Sequence, residues 1–260
     1  MRNTNALRAS RVLRAACAAA ALIVLTAVAA AQASGTGPSG PTGPTPGVTV
    51  RVEGLTKTLL APTTVTLQSG SVTNDGNAAD SCNALSALGA LQDATKGDWA
   101  GTWSSSYSDY FVTGIKGTDY SATAPYYWAF WLDDKPASVG ACSVDPAKDS
   151  SILFFPEYDG KNKSIKAPSV LGISAPAGAL IGKSFTIIVT SYANSNGKPS
   201  PAVGAKVTAG SSSATVAAGG KLTLAISRSG DVEIDVSAKN SIRDETAVCI
   251  HKAGATCSAK

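Results

Sequence analysis

The sequence contains few of the side chains that enzymes use for acid–base chemistry and that metal sites use as ligands. Its 260 residues include one histidine, His251, and one methionine. A serine–histidine–aspartate arrangement needs a histidine that accepts the serine proton, and His251 lies close to Cys249 at the end of a predicted strand. Zinc binding is disfavoured because the chain has no CxxC motif and no second histidine. We therefore predict a protein that is not an enzyme and has no metal ligands.

Without residues 1–33, the chain also has no net charge. The formal net charge of +4 comes from 22 Lys and Arg against 18 Asp and Glu, and residues 1–33 hold four arginines and no acid. There a basic leader precedes the run AACAAAALIVLTAVAAA and the small residues Ala31 to Ala33, which is typical of a secretory signal peptide cleaved after Ala33. Removing four bases leaves 18 of each sign. Nucleic-acid binding needs a basic surplus, so we predict no nucleic-acid partner and no membrane span after cleavage.

The cysteines agree with export. Cys17 falls in the predicted signal peptide, and the remaining four are Cys82, Cys142, Cys249 and Cys257. Outside the cell an even number of cysteines normally pairs. Three connectivities are available, and we predict Cys82–Cys142 and Cys249–Cys257 because each pair falls within one predicted domain. No sorting motif or anchor follows, so we expect a secreted, extracellular protein and leave retention at the cell surface open.

Composition divides the rest of the chain into segments of different character. Short alternating runs between Gly, Ser and Pro turns fill the last part, which predicts an all-β immunoglobulin-like sandwich. Strands interrupted by one helix precede it, which predicts a segregated α+β domain. The predicted order is a signal peptide (1–33), a Gly/Pro linker (34–47), an α+β domain (48–157), a polar linker (158–168) and the β-sandwich (169–260).

The α+β domain contains one helix and several strands. Asp80 or Ser81 is the predicted N-cap of the helix, and Gly97 its end. Between Tyr126 and Leu132 the chain alternates, so that Trp128 and Phe130 point to one side and residues 127, 129 and 131 to the other. Further strands are predicted at 48–54, 63–68, 110–115 and 152–155.

The order of these elements carries a family resemblance. VTVRVEG, the helix after Cys82, YFVTGIKG, YWAFWLDDKPASVGAC and ILFFPE resemble, in sequence order, bacterial secreted domains related to the carboxyl-terminal β-grasp domain of transcobalamin and intrinsic factor. The resemblance spans about 48–157, with Asp133-Asp134 where the family usually has Asn-Gly. It implies a β-grasp-like fold, with one main helix on a mixed sheet, and cobalamin as a ligand. The last part of the chain resembles, at the level of fold, bacterial Ig-like or carboxypeptidase-regulatory-like domains.

Aromatic side chains are the predicted binding residues. Flat rings on a rigid strand suit sugar rings or a macrocycle, and we expect Tyr127 and Trp131 to be partly exposed side by side. The first hypothesis is a non-catalytic binding module that takes an extracellular glycan or corrinoid. The alternative is a structural or interaction protein that contacts another cell-envelope component and has no small-molecule ligand. The candidate residues are Trp99, Trp103, Tyr107, Tyr110, Tyr127 and Trp131.

Acidic residues are predicted to be solvated. Glycoside hydrolysis needs paired carboxylates, but the available acids lie in loops among polar residues. Asp231, Glu233 and Asp235 alternate and therefore share one face of a strand, for which we favour a solvated sheet edge over a calcium site. The loop acids are Asp98, Asp109, Asp119, Asp133 and Asp134.

Charge is divided unequally between the two predicted domains. Residues 48–158 carry 6 bases and 12 acids, whereas residues 159–260 carry 12 bases and 6 acids. This pattern would suit attraction between the domains or binding to an anionic wall polymer. Because the bases are dispersed and surface charges are screened over roughly 8–10 Å, we predict two solvated surfaces.

Overall fold

A computed structural model describes residues 47–120, 125–158, 160 and 165–257. The predicted signal peptide, nearly all of the predicted Gly/Pro linker and part of the predicted 158–168 linker lie outside the described residues. The described chain is mostly β-sheet with one α-helix, in agreement with the predicted β-rich α+β composition. Within these ranges no helix has the length and apolarity that a membrane crossing requires.

The N-terminal half (47–158) is built on a five-stranded mixed sheet in the order β2-β1-β10-β8-β9. Strands β1 and β10 run parallel, and the other pairings in this sheet are antiparallel. A three-stranded sheet, β5-β6-β7, and the short pair β3-β4 complete this half. Its elements are β1 Gly47–Glu53, β2 Thr58–Thr66, β3 Ser71–Val72, β4 Cys82–Asn83, α1 Ala87–Thr95, β5 Trp99–Ser104, β6 Asp109–Ile115, β7 Thr118–Asp119, β8 Tyr126–Leu132, β9 Lys135–Pro136 and β10 Ser151–Tyr158.

The helix begins later than predicted. Its N-cap is Ser86, whose Oγ accepts a hydrogen bond from the Gly89 amide at 3.2 Å. Asp80 and Ser81 are not the cap, because residues 82–83 pair with 71–72 as β-strands before the chain turns helical. A Cβ at Gly89 would lie 2.0 Å from the Ala84 carbonyl oxygen, so this glycine lets the preceding loop cross the helix. The helix ends at Lys96, which adopts the left-handed conformation, next to the predicted Gly97.

The β8–β9 turn shows why Asp133-Asp134 is compatible with a position where the family it resembles usually has Asn-Gly. Asp133 and Asp134 both have positive φ, of 49° and 61°, as a two-residue hairpin turn of the primed type requires. Aspartate tolerates this conformation better than most residues. The Asp133 carboxylate also accepts hydrogen bonds from the Ser151 amide at 2.8 Å and the Ser150 hydroxyl at 3.1 Å. The turn is therefore fastened to the start of β10.

The C-terminal half (165–257) contains two five-stranded sheets that enclose a core of small aliphatic side chains. One sheet has the order β14-β13-β11-β19, with β17 also paired to β13, and the other has the order β12-β20-β18-β15-β16. The strands are β11 Ser169–Ser174, β12 Gly178–Leu180, β13 Ser184–Tyr192, β14 Pro199–Pro201, β15 Lys206–Ala209, β16 Ser212–Thr215, β17 Lys221–Ala225, β18 Gly230–Ser237, β19 Ser241–Ile242 and β20 Asp244–His251.

The two halves contact each other through the second face of the mixed sheet. The predicted alternation of β8 is confirmed: Trp128 and Phe130 belong to the core with α1, whereas Trp131 points the other way. Trp131 and Phe155 pack edge to face with ring centroids 6.0 Å apart. Together with residues of β11 and β19 they form the central cluster, which consists of Trp131, Leu153, Phe155, Val170 and Ile242.

Charged side chains join the halves beside the central cluster, which corrects the prediction of two solvated surfaces at these positions. Glu53, which has no exposed surface, accepts from Arg51 at 3.1 Å and from Arg243 at 2.7 Å. The Arg51 guanidinium also lies 3.2 Å from the carboxylate of Asp244. Arg51 and Glu53 lie on β1, whereas Asp244 is the first residue of β20 and Arg243 precedes it, so the network crosses between the halves. The sequence showed the unequal charges but not which of them meet.

Both predicted disulfides are present. Cys82 of β4 is bonded to Cys142 with a Cα–Cα distance of 5.1 Å, and Cys249 of β20 is bonded to Cys257 with a Cα–Cα distance of 6.0 Å. The first holds the segment before α1 against the loop that follows β9. The second holds the carboxyl-terminal segment to β20.

Replacing Cys249 and Cys257 together by serine is expected to lower the free energy of unfolding by about 2.5 kcal/mol. The crosslink spans a sequence separation of 8 residues, and the chain-entropy estimate for a loop of about that length is ~2.5 kcal/mol. Urea unfolding of the wild type and the double variant measures the difference. An unchanged midpoint would show that noncovalent contacts alone hold this segment.

Candidate ligand groove

The six aromatic residues predicted for binding do not form one exposed face. Trp99, Tyr110 and Trp131 are buried, with 6%, 5% and 2% of their surface exposed. Trp103 and Tyr127 are half-buried. Tyr107 is 81% exposed. The expected partial exposure of Tyr127 next to Trp131 is therefore wrong for Trp131, because the C-terminal half covers that side of β8.

Three of these rings form a structural cluster. Tyr110 contacts Trp99 and Trp103 edge to face, with centroids 5.4 Å and 5.0 Å apart. The Trp99 indole N–H donates to Gln92 Oε1 at 2.6 Å, and the Tyr110 hydroxyl donates to the carbonyl of Asp80. These hydrogen bonds satisfy the polar atoms of Trp99 and Tyr110, and the second one fastens the loop before α1. The cluster therefore stabilises the fold and positions β6.

A groove with a volume of about 630 Å³ runs beside β6, β8 and the loop 136–141. Residues of β10 and of the β13–β14 hairpin also line it, so both halves contribute to its walls. Its size falls in the range of ligand pockets, about 300–1,000 Å³. The lining residues that matter below are Tyr110, Phe111, Tyr127, Trp131, Val139, Glu157, Tyr158 and Asn194.

A second depression of about 370 Å³ adjoins the groove and shares Tyr110, Phe111, Val139 and Gly140 with it. Tyr107 lines this second depression. Phe111 is 45% exposed and Val139 is 52% exposed, which is high for large apolar side chains. With Tyr107 they form the apolar rim, defined as Tyr107, Phe111 and Val139. Clustered exposed apolar side chains next to a concave surface are a typical feature of binding sites.

Asp109 lines the second depression and is buried, so the prediction that this acid is solvated is wrong. It is only 6% exposed, and burial raises the pKa of its carboxyl although the Cys142 amide, 3.1 Å and 3.2 Å from its two oxygens, donates to it. A Cβ at Gly140 would lie 2.1 Å from Asp109 Oδ2, so only glycine leaves room for the carboxylate. The other four loop acids are exposed, as predicted.

Glu157 is the polar residue of the groove that the sequence interpretation missed. It is 8% exposed, and burial raises the pKa of its carboxyl. The side-chain amide of Asn194, from the β13–β14 hairpin, donates to Glu157 Oε2 at 2.6 Å. One sequence signal could have revealed this buried acid: Glu157 directly follows the apolar run ILFFP near the end of a strand. Nothing local indicates that Asn194, 37 residues later, lies beside it.

Carboxylates also gather on the sheet β12-β20-β18-β15-β16. Oxygens of Glu233, Asp235 and Glu245 lie within 4.8 Å of one another, a spacing that could hold a cation. The negative charge of Asp235 raises the pKa of Glu233. The predicted sheet edge is wrong, because β18 is the central strand of this sheet and Asp235 pairs across to Glu245 of β20. In the described chain the other group of metal-type ligands contains Cys82 and Cys142, whose sulfurs form a disulfide.

The single histidine lies apart from the groove. His251 is half-buried on β20, and its Nδ1 is 3.1 Å from the Lys252 carbonyl oxygen. It lines a separate depression of about 470 Å³ together with the Cys249–Cys257 crosslink.

Comparison with known proteins yields one family and one structure. Residues 83–155 match a family described as a domain of unknown function, DUF4430. A solved structure from Ruminococcus gnavus, named as a candidate metal binding protein, is similar at 11% sequence identity and a TM-score of 0.31, over 44% of this chain and 97% of that one. No curated protein matches. The family match contains β6, β8 and the apolar rim, whereas Glu157 and Asn194 lie beyond it.

Proposed function

We propose that this protein is a non-catalytic extracellular binding protein whose ligand occupies the groove beside β6 and β8. The observation that carries the proposal is the apolar rim: three large side chains stay exposed next to a concave surface that is lined with aromatic rings. Exposing such side chains to water is unfavourable unless a ligand or partner covers them. The two disulfides support an oxidising, extracellular environment.

The proposed architecture is a β-grasp-like domain (48–157) followed by an immunoglobulin-like sandwich (169–260). One helix packed on a mixed five-stranded sheet supports the first assignment, and two five-stranded sheets around one aliphatic core support the second. On this view the domains bury a shared face, and the groove includes residues of both.

Ring-shaped ligands suit the groove best. Exposed Tyr and Phe side chains offer flat apolar faces against sugar rings or a macrocycle. Glycans and corrinoids are therefore the first compounds to test, the corrinoid because the transcobalamin resemblance implies it. Trp131 and Trp128 both line the groove, so tryptophan fluorescence reports directly on occupancy.

Replacing Phe111 by alanine is expected to weaken binding of the responding compound about tenfold, roughly 1.4 kcal/mol, as truncation of an aromatic contact residue typically does. The free energy of unfolding should change by less than about 0.5 kcal/mol, because Phe111 is 45% exposed. Fluorescence titration with the panel of glycans and corrinoids measures the affinity. The matched control is Ile188→Ala, because Ile188 is 43% exposed on β13 and does not line the groove.

A structural role in the cell envelope is the second candidate. The observation that favours it is the burial of Trp131, one of the three tryptophans of the predicted ligand face, between the two halves. If the folded protein responds to no member of the panel, and Phe111→Ala instead weakens adhesion to isolated envelopes, the rim is a protein contact surface and the small-molecule proposal fails.

A further inference from the structure

Among the described residues that line the groove, Glu157 is the only one with a charged side chain. It is 8% exposed, and its side-chain partner is the neutral amide of Asn194. Across the described residues, every ion pair between a basic side chain and an acid involves other carboxylates. Within the part of the chain that the structure describes, the buried carboxyl group of Glu157 therefore has no cationic partner.

A second buried acid, Glu53, has the positively charged partners that Glu157 lacks among the described residues. Glu53 has no exposed surface and is paired with two guanidinium groups, from Arg51 and Arg243. Burying a carboxylate without a positive partner is costly, and proteins normally supply that partner or neutralise the group. Glu157 lines the groove, so a cation on a ligand in the groove would supply a positive partner.

Two aromatic side chains lie on the same face of the sheet as Glu157. Tyr127 is its direct cross-strand neighbour in the β8–β10 pairing, and Trp131, further along β8, points to the same side. Both line the groove. Tyr158 also lines the groove, but successive residues of a strand point to opposite faces, and its ring packs against Tyr126 on the other face. The faces of aromatic rings attract ammonium groups, and rings combined with a carboxylate are suited to hold alkylated ammonium ions.

We propose that the groove binds a ligand bearing an alkylammonium group, with Glu157 as its counter-ion and the aromatic lining around its alkyl substituents. Asn194 holds the carboxylate through the 2.6 Å hydrogen bond. This inference rests on the proposed function, that the groove is the ligand site, and adds the chemical class of the ligand.

The test compares charged and uncharged probes on the wild-type protein. Choline and its neutral isostere, in which carbon replaces the nitrogen, form one pair; Nα-acetyl-lysine amide and the corresponding norleucine derivative form the other. We expect one of the two cations to bind about tenfold tighter than its neutral partner, since a charged hydrogen-bonded or cation–π contact has that order of magnitude. The pair that shows the preference distinguishes a quaternary headgroup from a lysine side chain.

Glu157→Gln should abolish that preference and leave binding of the neutral probe unchanged. The variant is expected to fold, because the glutamine carbonyl can still accept from Asn194. Burial holds the pKa of the Glu157 carboxyl above its unfolded value, so ionisation at neutral pH costs the wild type stability that the glutamine does not lose. Asp119→Asn, which changes an exposed acid outside the groove, is the control and should bind like the wild type.

Equal binding of charged and neutral probes by the wild type would overturn the ammonium inference and leave the groove proposal standing. Absence of binding by all four probes would also overturn it, and the glycan and corrinoid titration would then decide the groove proposal independently. A preference for the cation that survives in Glu157→Gln would show that the carboxylate is not the counter-ion. The comparison of probe pairs on the wild type does not depend on any variant.

Discussion

Replacing Arg51 by methionine will lower the free energy of unfolding by about 3–5 kcal/mol, the usual result of removing one partner of a buried ion pair. The substitution leaves Glu53, which has no exposed surface, with Arg243 as its only guanidinium partner. It also removes the cation beside Asp244, whose side chain is 16% exposed. Two carboxylates then share less positive charge in a poorly solvated site, and the folded state loses stability.

Urea unfolding of the wild type and Arg51→Met measures the loss. The control is Lys116→Met, because the Lys116–Asp98 pair has a similar 3.2 Å separation but side chains that are 35% and 55% exposed. Exposed pairs contribute about 0–1 kcal/mol. Adding Glu53→Gln to Arg51→Met should restore part of the loss, since one buried charge is then removed. Equal small effects of Arg51→Met and Lys116→Met would contradict the burial of the network.

Trp131→Ala will lower the free energy of unfolding by about 3–5 kcal/mol, the cost of truncating a buried tryptophan. Trp131 is 2% exposed, and its ring contacts Phe155 in the central cluster that the two halves share. The substitution leaves a cavity at that interface. Trp131→Phe should cost less, because the phenyl ring fills part of the space.

Tyr107→Ala is the contrasting variant, because both residues were predicted from the sequence to belong to one binding face. Tyr107 is 81% exposed on the apolar rim, so its truncation should change stability by no more than about 0.5 kcal/mol. Thermal and urea unfolding of both variants separates the two roles. If Trp131→Ala lowers the free energy of unfolding by less than about 1 kcal/mol, the two halves do not pack tightly at this position.

Local patterns in the sequence predicted much of the fold correctly. The alternation from Tyr126 to Leu132 predicted both the strand and the opposite directions of Trp128 and Trp131, because side chains of a strand alternate whatever packs on it. The turn at Asp133-Asp134 followed from residue types that accept its backbone conformation. The helix start was placed too early, since the pairing of residues 82–83 with 71–72 outweighed the capping preference of Asp80 and Ser81.

The functional candidates were harder to predict, because exposure depends on what covers a face. Trp131 was expected at the surface, yet Val170 and Ile242 cover it from the other half of the chain. Phe111 was passed over within a predicted strand, yet it lies 45% exposed at the groove. Asp109 is buried because a loop bearing Gly140 closes over it. None of these covering contacts has a local signature.

By itself the sequence determined that the four cysteines pair, the direction of each side chain along β8 and the turn that follows it. These features depend on residue type and on neighbours close in the chain or on an even cysteine count. Only the tertiary structure decided that Glu53 meets Arg243 across 190 residues, whereas Glu157 meets nothing positive among the described residues. Burial and charge pairing are properties of surfaces brought together from distant segments, and the groove beside β6 and β8 arises in the same way.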